Sequence, residues 1–200
     1  MDIRQILGNP DVYSMFDALV GGDARKTYAS QYIRARSNDR VLDIGCGPGD
    51  ILNHLPNGVD YTGFDISPAY IEAAQRRFGL RGRFMCREVS QDLVREFSGL
   101  DLVLANGVLH HLTDSQVIQL FQIARAALQS DGRLVTWDGC FVEAQSRVAR
   151  FLLRRDRGRF VRTEKAYTAL ARQVFSQVSS TIRHDLLRIP YTHIIMECRP

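Results

Sequence analysis

From residue 40 onward, short apolar runs alternate with stretches whose apolar residues recur every three or four positions. The runs predict strands at 40–45, 59–65, 83–88, 101–106 and 132–138. The periodic stretches predict helices at 49–55, 68–78, 90–96 and 114–129. Strand, helix, strand at these lengths means parallel strands joined by helical crossovers. Residues 141–176 read as two helices broken at Asp156-Arg157-Gly158. Val178 to Leu187 and Tyr191 to Cys198, separated by Ile189-Pro190, read as two closing strands. Before residue 39 the pattern predicts two or three helices. One carries the stripe Val12, Tyr13, Phe16 and Leu19. Another holds Tyr28, Tyr32 and Ile33, with Asp23 as its expected N-cap.

The junctions between strands and helices carry the chemistry. Val41-Leu42-Asp43-Ile44 runs straight into Gly45-Cys46-Gly47-Pro48-Gly49. The next strand ends in Asp65. Backbone close to the ligand at the first turn, with an acid at the second strand end, is how an α/β nucleotide fold grips an adenosine. A dinucleotide fingerprint needs glycine at position 50, and Asp50 stands there. The glycines instead follow an acid, as D-x-G-x-G-x-G.

Composition narrows the class. The chain has 200 residues, of which 45% are hydrophobic and 24% charged, the balance of a soluble globular protein. No apolar run reaches membrane-spanning length, so no membrane association is expected. The start, Met1-Asp2-Ile3-Arg4-Gln5, lacks the pattern of a signal peptide. Cys46, Cys86, Cys140 and Cys198 have no metal-like spacing, so no metal is expected and a cytoplasmic location fits. Cys46 reads as a small residue that fits the turn rather than as a nucleophile.

The net charge of +4 is unevenly spread. Arg147, Arg150, Arg154, Arg155, Arg157, Arg159, Arg162 and Lys165 face only Asp156 and Glu164 within one segment. Such a block suits an anionic partner, or else a solvated helix face with internal ion pairs. With only Phe151 and Phe160 nearby and no recognisable RNA-binding module, nucleic acid is not the expected partner.

The D-x-G-x-G-x-G turn resembles motif I of the class I S-adenosylmethionine-dependent methyltransferases. Further landmarks follow in family order. They are Phe84-Met85-Cys86-Arg87-Glu88, then Leu100 to Asn106 running into Gly107-Val108-Leu109-His110-His111-Leu112, then Ser130-Asp131-Gly132 leading into the fifth strand. The resemblance covers the chain from about position 38 to its end and points to the small-molecule branch. It implies a Rossmann-like, doubly wound, seven-stranded sheet, mostly parallel, whose antiparallel last strand Thr192 to Cys198 would supply. It also implies one domain over residues 1–200: an N-terminal helical cap at 1–38 and a core at 39–200, with a helical insert at about 141–176.

The implied cofactor is S-adenosyl-L-methionine and the implied product S-adenosyl-L-homocysteine. A methionine moiety carries an ammonium and no pyrophosphate, so an acid at the strand end makes sense. By resemblance, Asp43, Gly45, Cys46, Gly47 and Gly49 line the methionine half. Asp65 accepts from both ribose hydroxyls and Ile66 packs on the adenine. Glu88, in place of the more frequent aspartate, and Val89 flank its other edge. Asn106, Gly107 and Val108 end the fourth strand beside the sulfonium.

Hydroxyl acceptors need a base, whereas amines need only be neutral when they attack. His110 and His111 are the leading base candidates, since histidine titrates in the working range. Adjacent loop residues point apart, and His111 is placed ahead of His110. Alternatively, both serve the scaffold around Thr113-Asp114. Asp138 and His193 rank second, and His54 and His184 read as surface residues. Tyr13, Tyr28 and Tyr32 are acceptor-pocket candidates on the N-terminal helices, or else an aromatic core stripe at helical spacing. Arg157, Arg159 and Arg162 would recognise an anionic acceptor, or only hold their segment down.

Three functions remain open at this stage. They are O- or N-methylation of a small metabolite, methylation of RNA or protein, and S-adenosylmethionine binding without methyl transfer. No Asn/Asp-Pro-Pro-Tyr-like tetrad follows the fourth strand, which counts against bases and glutamine as acceptors. The oligomeric state is not legible.

Overall fold

Alternating residue parity along the strands fixes which side chains reach which face of the sheet. The computed structural model describes residues 23–90, 96–155 and 158–200. Among them, the strands are β1 Arg40–Ile44, β2 Asp60–Asp65, β3 Gly82–Cys86, β4 Leu100–Asn106, β5 Leu128–Phe141, β6 Arg162–Thr163, β7 Gln177–Arg183 and β8 His193–Arg199. The helices are α1 Ala24–Tyr28, α2 Pro68–Phe78, α3 Asp114–Ala127, α4 Arg147–Arg154 and α5 Glu164–Ala171.

The sheet runs β3-β2-β1-β4-β5-β8-β7, with the two-residue β6 paired to β5 off this path. Strands β1 to β5 pair in parallel, and β8 lies antiparallel to both β5 and β7. This is the expected Rossmann-like sheet of seven strands with an antiparallel last strand, plus the small β6. The order reverses between β1 and β4. Ligands of open α/β sheets bind at that switch point, outside the carboxyl ends of the strands.

Both faces are buried, as parallel sheets require. Leu42, Phe64, Val103, Ala105 and Leu134 pack with Val117, Phe121 and Ala124 of α3 and Tyr167 of α5. The alternate residues Val41, Tyr61, Leu102, Leu104 and Val135 pack with Tyr28 of α1 and Ile71 and Phe78 of α2. Leucine and valine on successive positions of β4 thus serve opposite layers.

The helix starts follow side-chain caps. Ser67 caps α2 ahead of Pro68, and Thr113 with Gln116 forms a capping box on α3. Ser146 and Thr163 cap α4 and α5.

Some expectations are corrected. The helix at 49–55 is a 3₁₀ turn, Asp50–His54, squeezed between Gly49 and an extended Leu55. Asp23 precedes α1 but makes no side-chain cap; its carbonyl accepts from Thr27 N at 2.8 Å instead. The fifth strand begins at Leu128, and a register shift opposite Leu100 and Leu102 absorbs the extra length. Helix α1 runs on as a π-helical turn, Ala29–Ile33, ending at left-handed Arg34. The Arg133 guanidinium, from β5, closes that end by donating to Tyr32 O and Ile33 O. The stripe at 11–19 and the expected helix at 90–96 lie largely outside the described residues.

Candidate active site

The turn after β1 is shaped by what lies across from it. Gly45 has φ +72°, and a Cβ there would come within 2.5 Å of the Val108 side chain. Glycine is therefore required both by backbone conformation and by the approach of the β4 loop. Gly47 has open space where its Cβ would be, so the chain leaves room at this point.

Asp43 lies beneath the turn and is 2% exposed. Its Oδ2 accepts from Tyr61 Oη at 2.7 Å, while Oδ1 is buried with no partner. Burial pushes this carboxyl up to about 7, although the Tyr61 hydroxyl pulls it back. A buried carboxylate oxygen without a donor is costly. An ammonium group would supply the missing donor, so the residue fits a methionine moiety. Burial raises the Cys46 thiol well above its ordinary range, with Asp43 adding to the effect, so it stays protonated.

Asp65, at the end of β2, ties two elements together. Its Oδ2 accepts from Gly47 N at 3.0 Å and its Oδ1 from Ser67 N at 2.8 Å. Each carboxylate oxygen has a further lone pair, so capacity for hydroxyl donors remains. Ile66 beside it is 76% exposed, an unusual setting for isoleucine and a ready platform for a planar group. Glu88 is exposed past the end of β3, and Val89 is half-buried against the core.

At the end of β4, Gly107 N donates to Trp137 O at 2.7 Å, locking β4 to β5. Asn106 accepts from Tyr28 Oη at 2.5 Å. Tyr28 is fully buried with its ring 4.7 Å from Trp137, so it supports the strand end from below rather than lining an open pocket. Burial, with Asp43 and Asp138 nearby, pushes its hydroxyl up and keeps it a donor. The Trp137 ring also meets His193 at 5.3 Å, and Tyr191 lies 4.7 Å from His193. Trp137 Nε1 is buried without an acceptor.

The two adjacent histidines behave differently. His110 is buried, and its Nδ1 lies 2.8 Å from Asp138 Oδ1. Its backbone N donates to the same oxygen at 3.2 Å. His111 is exposed, its ring 4.2 Å from that of His110. Of the two, His110 has the oriented ring and the carboxylate partner. Asp138 reaches it because it sits past the point where β4 ends, on the face opposite Trp137.

The arginine block divides. Arg162 is 9% exposed and spends its guanidinium on Leu109 O, Leu112 O, Phe160 O and Asp114. Arg159 is exposed. Arg157 and Tyr13 lie outside the described residues. Sequence reasoning missed Tyr61 and Trp137, and named Gly158 only as a helix break. Strand parity offered a signal for the first, two residues before Gly63, which pairs with Asp43.

The strand order and the switch-point turn are those expected of the class I methyltransferase fold. Residues 42–134 match the family model described as Methyltransferase domain. That match covers just under half of the chain, and over it the chain is similar to the methyltransferase family. It is 32% identical over 149 residues to an uncharacterized 37.1 kDa protein in transposon TN4556 of Streptomyces fradiae, covering 67% of this chain and 42% of that protein. It spans less than half the length of the curated relatives it matches. In fold it is similar to the mitomycin 7-O-methyltransferase MmcR, with TM-score 0.65, 20% identity and coverage of 100% of this chain and 61% of that one. It is also similar in fold to human N-acetylserotonin methyltransferase in complex with S-adenosylmethionine, with TM-score 0.69, 16% identity and coverage of 95% and 54%. Among the described residues no helix is long and apolar enough to cross a membrane.

Proposed function

We propose that the chain methylates a hydroxyl of a small-molecule acceptor, with His110 as the general base. The observation that carries this reading is His110 Nδ1 at 2.8 Å from a buried Asp138 carboxylate. An ionised carboxylate only accepts, so Nδ1 holds the proton and Nε2 presents the lone pair. A base of this kind is needed to deprotonate a hydroxyl and has no task with a neutral amine.

S-adenosylmethionine, when bound, supplies a methyl group activated by a positive sulfur. Asp43 would accept from its ammonium, and the turn from Gly45 to Gly49 would follow the methionine half with Cys46. Asp65 would hold the ribose, with Ile66 on one adenine face and Glu88 and Val89 at its edge. Asn106, Gly107 and Val108 would border the reacting centre. Their tasks are to align acceptor and methyl and to exclude water.

Small-molecule acceptors accord with what the mitomycin 7-O-methyltransferase MmcR and human N-acetylserotonin methyltransferase are named for. Arg159, next to Gly158 and hence to the His110 ring, is the described arginine suited to an anionic acceptor. Four free cysteines accord with a reducing, cytoplasmic setting. We read residues 39–200 as the catalytic core and residues 1–38 as its cap. The test is incubation with methyl-labelled S-adenosylmethionine and a size-fractionated extract. Label should enter a small-molecule fraction with wild-type protein and not with His110→Ala.

A further inference from the structure

Asp138 holds one edge of the His110 imidazole and one backbone N–H of the turn that carries it. We propose that residues 158–162 form a positioning strap for His110, with Arg162 as its anchor. The proposal rests on the reading of His110 as the base and adds what keeps that base in place.

The strap touches the turn at its backbone and at its ring. Phe160 N donates to His110 O at 2.9 Å. Arg162 Nη1 donates to Leu109 O and Phe160 O, each at 2.9 Å, and Nη2 donates to Leu112 O at 2.6 Å. Nε donates to Asp114 Oδ1 at 2.9 Å, and Nη2 lies 2.7 Å from the same oxygen. A guanidinium has five N–H groups, and acceptors for all of them are present here. Leu109 and Leu112 bracket the two histidines, so the planar cation spans the turn from one end to the other. An ammonium has three donors on a point charge and cannot span it.

Gly158 closes one side of the ring. A Cβ at this position would lie 1.9 Å from His110 Cδ2 and 2.7 Å from its carbonyl oxygen. Only glycine fits, and the backbone itself becomes a wall of the imidazole site. The strap also shares its foundation with the orienting acid. Arg162 begins β6, which pairs with β5 at Cys140, two residues beyond Asp138. The group that holds the ring and the group that holds the turn therefore sit on two paired strands. A misplacement of about 1 Å in such a constellation costs on the order of 10²-fold in rate.

Because the acceptor is unidentified, the test reads the imidazole directly. The full chain, labelled with ¹⁵N-histidine, is compared with Arg162→Lys and Gly158→Ala, and His110→Gln assigns the signal. S-adenosylhomocysteine affinity is measured alongside, as the check on the cofactor site. The expected result is an Nδ1–H tautomer for His110 in the wild type. Each variant should convert it to a mixture of tautomers, while S-adenosylhomocysteine affinity stays within about threefold. If Arg162→Lys does not fold, Gly158→Ala, whose only change is one methyl group at the ring, carries the test alone. An unchanged His110 signal in the folded variants overturns the strap. So does parallel loss of S-adenosylhomocysteine binding, which would make Arg162 a general determinant of stability. If His110→Gln keeps full methyl transfer while Arg162→Lys still disturbs the ring, the base reading fails and the strap stands.

Discussion

Asp138 grips His110 twice through one oxygen, at 2.8 Å from Nδ1 and 3.2 Å from the backbone N. Ring and main chain are thus oriented by the same carboxylate, which is itself fully buried at its side chain. Asn at this position offers an amide whose donor and acceptor can both face Nδ1, so the tautomer is no longer imposed. We expect Asp138→Asn to lower methyl transfer by about 10²-fold and His110→Ala by about 10²–10⁴-fold. S-adenosylhomocysteine affinity should be nearly unchanged in both. Calorimetry showing equal losses in affinity and rate would place the pair in cofactor binding instead.

Asp43 makes cofactor binding depend on pH. Burial holds its carboxyl up at about 7 in the ligand-free protein. The folded value thus lies above the ordinary aspartate value of about 3.9, so the native state binds the proton more tightly. Its contribution to stability is full at low pH and is lost as pH rises toward about 7. A ligand ammonium favours the ionised form and so expels the proton. S-adenosylhomocysteine should therefore bind more tightly as pH rises from about 5.5 to about 7.5. At about pH 6, calorimetry in buffers of different ionisation enthalpy should show proton release. Proton uptake, or no exchange, would rule out the Asp43–ammonium contact.

Asp65 has two jobs, since it already holds Gly47 N and Ser67 N. Asp65→Ala should weaken S-adenosylhomocysteine binding by about 2–3 kcal/mol, as hydrogen bonds to a charged group are removed from buried hydroxyls. It should also lower the melting temperature, because the turn after β1 loses its tie to α2. An affinity change below about 0.5 kcal/mol would mean that the ribose is held elsewhere.

Gly45 should not tolerate a side chain. Alanine would meet Val108 at 2.5 Å and sit at φ +72°. We expect Gly45→Ala to destabilise the fold by about 1–3 kcal/mol. Adding Val108→Ala should recover part of that loss by removing the clash but not the strain. Thermal denaturation of the two variants gives the comparison, and no recovery in the double variant would assign the whole cost to the backbone.

Much of the fold was legible because parallel sheets advertise themselves. Runs such as Leu100 to Asn106 are apolar on both faces, and caps such as Thr113 with Gln116 mark the helix starts. Asp43 and Asp65 were legible as candidates because motif position fixes them near strand ends. What was not legible depends on contacts between distant segments. Nothing local in His110-His111 says that the first is buried and paired with a residue 28 positions away. Nor does the arginine block reveal that Arg162 turns inward to backbone carbonyls while Arg159 remains outside. The requirement for glycine at 158 arises only where the strap crosses the ring.

Methyl transfer to a small molecule is tested by tracing the methyl group itself. The protein is incubated with methyl-labelled S-adenosylmethionine and a size-fractionated extract, with His110→Ala run beside it. We predict label in a small-molecule fraction, in a linkage stable as an ether or ester, and its loss in the variant. Label in RNA or protein would exclude a small-molecule acceptor, and equal label in a small molecule without His110 would exclude His110 as the base.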